Sequence, residues 1–390
     1  MVAFVVSIII LLLVSKRSMT IGIFTAALFL GILTMSLMEL ITVILNVFLN
    51  KEYLLLATAV AMIPVIGGLL NVTGLLDSMI KNFKFGKKAL LMFSPAILGL
   101  LPMPGGALFS APMVEKTTSE LSNVRKASIN VWYRHILHLI YPLATALIIG
   151  AELAGIGTFV AVIYQAPLFI ISLTFGYAFF LGKLRDNDDP RDASWIAFLK
   201  PLLIVLLAPA VDISLKLLLN LKYLATLIGV LSSLILTIAL SKVDFKTLKD
   251  VSKKSRFWDF FLLILAIYVY QNVFIRSDVP YLLKRISFSP YLLLIVAGFA
   301  LGFLTGRVST PLIILIPIYL VKFGFMDPVS FAMMYYSTLL GYIMSPVHPC
   351  LVFTAQYFRV DSKKVIADLL APTLASLVIG ILLLFLLSLL

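Results

Sequence analysis

The stretch Pro102-Met103-Pro104-Gly105-Gly106-Ala107-Leu108-Phe109-Ser110-Ala111-Pro112 decides how this chain is read, and Thr305-Gly306-Arg307-Val308-Ser309-Thr310-Pro311 is its counterpart in the second half. Each interrupts an apolar run too short to cross a bilayer on both sides of the interruption. At about 1.5 Å per helical residue, segments 87–118 and 289–322 can cross once as a long helix, or enter to mid-depth and return as two half-helices. The prolines and glycines at their centres favour the return, so each segment reads as a re-entrant hairpin with its tip inside the membrane. Irregular backbone at that depth persists only where protein or a water-filled cavity shields it.

Around these tips the chain is strongly apolar, with 390 residues of which 62% are hydrophobic and 13% charged, and a mean hydropathy of +1.10. That is too much apolar surface for a core in water, and the class is an all-α polytopic membrane protein. A net charge of +13 would suggest nucleic acid in a soluble protein. Here the basic residues sit in short loops between apolar runs, where they set topology, and nucleic-acid binding is not expected. The single cysteine, Cys350, excludes an intrachain disulfide and a multi-cysteine metal centre. Met1 to Val14 has no basic residue before its apolar run and Lys16-Arg17 after it, the reverse of a cleavable signal, and reads as a retained first span.

Apolar runs punctuated by charges predict about ten spans, at 2–14, 20–35, 53–80, 127–151, 154–182, 194–219, 222–241, 257–275, 327–357 and 365–389. Segment 36–50 alternates acidic or amide with apolar residues at helical spacing and reads as an interfacial helix. One shift carries Asn71-Val72 and Asp77 onto Asn272-Val273 and Asp278, and the tip at Pro104 onto Thr305. The expected architecture is therefore a 5+5 inverted repeat, each half with one re-entrant hairpin and one broken helix, as in many secondary transporters. Its first half is 1–182, with hairpin 87–118 and broken span 127–151. A cytoplasmic linker 183–193 leads to the second half, 194–390, with hairpin 289–322 and broken span 327–357. Most of the 31 Lys and Arg fall on one side of these spans, which the positive-inside rule makes cytoplasmic. The expected location is the plasma membrane, multi-pass, with both termini extracytoplasmic.

All three histidines fall in the spans that follow the two hairpins: His135 and His138 in Trp132-Tyr133-Arg134-His135-Ile136-Leu137-His138, and His348 in Ser345-Pro346-Val347-His348-Pro349-Cys350. Ionisable groups at that depth are costly and face a partner or a cavity. Arg134 reads either as ligand-facing or as a snorkelling cation near the start of its span, whereas Arg307 sits at a hairpin's deepest point. Pro142, Pro346 and Pro349 break their helices and free carbonyls one turn back. Hairpin tips and broken helices meeting at mid-membrane supply half-helix N-termini that attract anions. The candidate substrate-binding residues are Pro104, Gly105, Gly106, Ser110, Arg134, His138, Arg307, Ser309, Thr310, Ser345 and His348. Asn71 and Asn272 read as residues that hold helices together. The acids Asp77, Glu115, Glu152, Asp212 and Asp278 lie near predicted span ends, so no central acidic pair marks a cation carrier, and an anion fits better.

The Pro-Met-Pro-Gly-Gly-Ala-Leu-Phe-Ser-Ala-Pro tip at 102–112, the Trp-Tyr-Arg-His run at 132–135 and the Gly-Arg-Val-Ser-Thr-Pro tip at 306–311 resemble the integral membrane family called domain of unknown function 401. That family is placed in the ion transporter superfamily, beside gluconate permeases, large subunits of binding-protein-dependent carboxylate transporters and sodium-coupled dicarboxylate carriers. The resemblance covers nearly the whole chain. It implies an elevator-type carrier, with substrate-facing roles for Pro104 to Gly106, Ser110, Ser309 and Thr310, and a scaffold of the kind that often forms a homodimer. The Ser-Asn-Thr tips of the sodium-dicarboxylate branch are absent from both hairpins.

The leading expectation is thus a secondary transporter, not an enzyme, carrying a small organic anion such as a carboxylate, coupled to Na+ or H+ and without a bound cofactor or metal. An alternative in another class is a membrane-embedded enzyme with His135, His138 and His348 as metal ligands. The i, i+3 pair allows this on one helix face. A third is a passive channel or structural subunit.

Overall fold

The computed structural model describes residues 1–15, 17–82, 86–99, 107–185, 194–219, 221–241 and 243–389. Among the described residues the protein is entirely helical. The first half contains α1 (Val2–Val14), α2 (Met19–Thr34), α3 (Leu37–Leu49), α4 (Lys51–Val72), α5 (Leu75–Lys81), α6 (Lys87–Gly99), α7 (Ala107–Thr117), α8 (Asn123–Ile136), α9 (Thr145–Ala154) and α10 (Thr158–Gly176). The second half contains α11 (Trp195–Leu219), α12 (Tyr223–Ser241), α13 (Phe245–Lys254), α14 (Phe257–Arg276), α15 (Val279–Lys284), α16 (Gly298–Thr305), α17 (Ser309–Phe323), α18 (Pro328–Ile343), α19 (Pro349–Tyr357) and α20 (Ser362–Leu387). A 3-10 turn at Leu137–Leu139 follows α8, and π-helical turns at Tyr177–Leu181 and Leu292–Ala297 adjoin α10 and α16.

Short polar residues set the helix starts. Ser36 and Glu39 form a reciprocal capping box on α3, and the Asn50 carboxamide accepts from the N–H groups of Glu52 and Tyr53 at the head of α4. Asp327 does the same for Val329 and Ser330 in α18, with Pro328 in the first turn. Each cap satisfies donors that a helix start leaves unpaired.

Six helices among the described residues are long and apolar enough to cross a membrane: Lys51–Val72, Thr158–Leu181, Trp195–Leu219, Tyr223–Ser241, Phe257–Arg276 and Ser362–Leu387. This corrects the expectation of about ten spans in a 5+5 inverted repeat. The runs at 2–14 and 20–35 fold as helices of 13 and 16 residues; at about 1.5 Å per residue these fall short of the roughly 30 Å hydrocarbon core. The runs at 127–151 and 327–357 are each interrupted, so neither provides one continuous crossing. Two of the six long helices precede the 183–193 connection and four follow it, so the long helices are not shared equally between the halves. What stands is a polytopic, all-helical protein whose long apolar helices place it in a membrane.

Helix packing falls into two groups. In one, α2 lies on α1 and α14, α4 lies between α12 and α14, and α11 packs on α12 and α5. In the other, α6 lies between α7 and α8, α16 packs on α18, α17 on α9, and α10 on α20 and α18. The groups meet through α15 and through short contacts of α14 with α17 and of α5 with α6. Burial grades outward: the apolar stretch of α4 is 67% buried, that of α11 only 22%. The helix at the centre is therefore protein-facing on most sides, and the outer one offers most of its surface to lipid.

Candidate functional site

The site is built where two helices stop inside the protein. At the first stop, α8 begins under the Ser122 cap and buries every side chain from Lys126 to Ile136. It lies so close to α6 that a Cβ on Gly99 would fall 2.0 Å from the Arg134 carbonyl oxygen, so the two backbones touch and only glycine fits. Asn130 ties α8 to its neighbours by donating to the Ala107 carbonyl (3.2 Å) and the Thr354 hydroxyl (2.9 Å). After the 3-10 turn the chain runs through Tyr141 and Pro142 without helix until α9 starts at Thr145. A proline there lacks the N–H that would continue the ladder. His138, at this stop, hydrogen-bonds through Nε2 to the Gly99 carbonyl (3.0 Å), and its own carbonyl accepts from the Tyr335 hydroxyl (3.2 Å).

The second stop follows α18. Ser345 to His348 are non-helical, and α19 begins at Pro349. Ser345 Oγ accepts from the Val347 N–H (3.3 Å). His348 is fully buried. The Ile343 carbonyl is near its ring, but neither ring nitrogen forms a well-aligned hydrogen bond. Beside this stop α16 ends at Gly306, whose φ of 61° is left-handed and closes the helix. Arg307 and Val308 follow, and α17 starts at Ser309.

A cavity of about 790 Å3 lies between the two helix groups. One wall consists of Thr20 in α2, Pro64, Gly68 and Asn71 in α4, Lys254 in α13, and Arg256 and Asp259 at the head of α14. The other comes from the two helix stops: Gly99, Arg134, His135, His138, Tyr141 and the first turn of α9 on one side, and Gly306 to Ser309, Tyr342, Pro349 and Cys350 on the other. The N-terminal turns of α9, α17 and α19 all lie on this wall. Unpaired N–H groups and the positive ends of helix dipoles make such turns favourable for anions.

The charge of the cavity is strongly one-sided. Arg17, Arg134, Lys254, Arg256 and Arg307 line it, with Asp259 as its acid. Asp259 is paired with Arg256. Arg134 is only 3% exposed, so it does not snorkel outward, and its guanidinium makes a long contact from Nη1 to the Ser110 hydroxyl (3.4 Å). Among the described residues neither Arg134 nor Arg307 has a carboxylate partner.

The residues singled out from the sequence divide accordingly. Arg134, His138, Arg307, Ser309 and Pro349 lie on the cavity wall. Ser110 is buried behind Arg134, and Thr310 is buried with an unpartnered hydroxyl. Ser345 and His348 are buried off the wall, and Pro142 and Pro346 shape the stops without lining the cavity. Pro104, Gly105 and Gly106 lie outside the described residues. The sequence reading missed Arg17, Lys254, Arg256, Tyr342 and Cys350, and Asn71, read as a packing residue, is on the wall.

The proposed histidine trio does not converge. His138 is turned to Gly99, and its ring lies edge-on to His135 at 5.7 Å. Instead, donor atoms of His135, His348 and Cys350 lie within 4.8 Å of one another. Over residues 1–387 the chain matches the family described as Protein of unknown function (DUF401), and it belongs to that family. No curated protein matches it.

Proposed function

We propose that this DUF401 family member is a carrier of a small organic anion, with a carboxylate as its substrate. The observation that carries this reading is the pair Arg134 and Arg307: two guanidinium groups on one cavity wall, neither with a carboxylate partner among the described residues. Arg134 is buried and Arg307 half-buried. A desolvated charge without a counter-ion is costly, most of all at Arg134, and a bound carboxylate offsets that cost through charge-assisted hydrogen bonds to both residues. The cavity volume suits a small metabolite, and three helix N-termini add N–H donors for its oxygens.

The cavity lies between two helix groups that touch through few elements, which favours alternating access by movement of one group against the other. The family resemblance read from the sequence around 102–112 and 306–311 implies a carrier of the same kind, with Na+ or H+ as the coupling ion. On this reading the basic loops face the cytoplasm and both termini face outward.

A thermal-shift screen of the detergent-purified protein against small carboxylates, with and without Na+ and at two pH values, tests it. A ligand that binds only the folded state raises apparent stability by mass action. Arg307→Gln should abolish the shift, while the melting temperature without ligand stays level or rises because an unpaired charge is gone. Stabilisation by no anion, or a full shift in both Arg134→Gln and Arg307→Gln, would overturn the proposal.

A further inference from the structure

His348, at the helix stop after α18, has bonding capacity that its neighbours do not fill. It is fully buried, and neither ring nitrogen forms a well-aligned hydrogen bond. With the Ile343 carbonyl near the ring, one nitrogen is still left without a partner. A buried polar atom without a partner costs on the order of 1–3 kcal/mol, so that lone pair is open to a ligand. Its neighbours supply the rest of a donor set. The His135 ring stands edge-on to it at 4.5 Å, and one donor atom from each of His135, His348 and Cys350 lies within 4.8 Å of the others.

We propose that His135, His348 and Cys350 hold a single thiophilic transition-metal ion, of the copper(I) or zinc(II) class. Two imidazoles and a thiolate match soft-to-borderline ions, and the cluster lacks the carboxylate and carbonyl oxygens that calcium and magnesium require. His135 is already oriented: Nδ1 bonds to the Val131 carbonyl (2.6 Å), which leaves Nε2 with the free lone pair, the arrangement typical of a metal-bound histidine. Metal–nitrogen distances of about 2.0–2.1 Å and a metal–sulfur distance of about 2.3 Å put donors on the order of 3.5 Å apart. Side-chain rotations on the order of 1 Å therefore close the set. His135 and Cys350 line the cavity, so the ion has a path from solvent.

Binding replaces the thiol S–H bond with a sulfur–metal bond and releases that proton through the cavity. The thiolate formed offsets one positive charge, which matters beside Arg134 and Arg307. A monovalent ion leaves the site neutral, and a divalent one leaves it with a single positive charge. The inference is independent of anion transport, because it rests on the donor geometry and the unpartnered His348 nitrogen.

The test uses the full-length protein in detergent, stripped with chelator and equilibrated in separate samples with Cu+ under anaerobic reductant or with Zn2+. Bound metal per protein is then measured by mass spectrometry. About one equivalent of at least one of the two ions is expected, binding more tightly as pH rises because a proton is released. Cys350→Ser and His348→Gln should each weaken binding about tenfold or more. Melting curves without metal show that the variants fold, and Cys350→Ser is conservative enough to serve alone if His348→Gln does not. Sub-stoichiometric binding of both ions, or binding that survives Cys350→Ser unchanged, overturns the proposal.

Discussion

The two helix stops that build the cavity wall have similar parts and opposite degrees of satisfaction. At the first, after α8, His138 is paired with the Gly99 carbonyl, and its own carbonyl is held by Tyr335. At the second, after α18, His348 is fully buried and is left without a well-aligned bond. The first histidine closes a break that its own backbone opened. The second closes no such break, and at least one of its ring nitrogens has no partner. Position in a broken helix therefore does not by itself set how well a histidine is bonded.

The largest effect tests whether both stops depend on direct backbone contact. A Cβ on Gly99 would meet the Arg134 carbonyl oxygen at 2.0 Å, and one on Gly341 would meet that of Phe299 at 2.1 Å. Neither neighbour is a side chain that can swing away, so Gly99→Val and Gly341→Val must part α6 from α8 and α18 from α16. Overpacking of this kind costs about 1–3 kcal/mol or more, and both variants should melt well below wild type or fail to accumulate. A variant that melts with wild type would show that its helix pair can separate freely, and the two stops would then differ in rigidity as well as in bonding.

Next in size is the histidine pair, measured by denaturation of metal-free protein. His138→Leu leaves the Gly99 carbonyl without its partner and should cost about 1–3 kcal/mol. His348→Leu removes a polar ring that lacks well-formed bonds and should lie within about 1 kcal/mol of wild type, or above it. Equal losses would mean that His348 is as well satisfied as His138, and the contrast between the stops would vanish.

The same contrast explains what the sequence could and could not convey. Runs at 53–80, 154–182, 194–219, 222–241, 257–275 and 365–389 each hold a long helix, because run length and composition are local properties, although the first run breaks after Val72 and continues as the short α5. The runs at 127–151 and 327–357 are apolar enough to look continuous, yet their prolines interrupt them; where a helix resumes depends on packing of α9 against α17 and of α19 against α7 and α8. Arg134 and Arg307 were legible because charge inside an apolar run is conspicuous. Arg17, Lys254 and Arg256 look like ordinary topology-setting loop cations, and only the approach of α2, α13 and α14 to the cavity makes them its rim. Cys350 and Tyr342 carry no local signal. Their meeting with His135 bridges residues more than two hundred positions apart in the chain.

The smallest effect lies at that rim, where satisfaction and exposure part company. Arg256 is paired with Asp259, but both side chains are about half exposed, so the pair contributes about 0–1 kcal/mol to stability. Asp259→Asn should leave the melting temperature nearly unchanged. It also removes the acid from a rim otherwise lined by Arg17, Lys254 and Arg256, which deepens the positive potential at the mouth. Association of an anion should then accelerate at low ionic strength, by a factor that shrinks as salt shortens the roughly 10 Å Debye length of 0.1 M solution. Stopped-flow association rates at two salt concentrations measure this. A faster rate confined to low salt assigns the rim to steering and leaves Arg134 and Arg307 as the binding cations. A rate unchanged at both concentrations would mean that anions do not enter past Arg256, and the route to the two unpaired arginines would have to lie elsewhere.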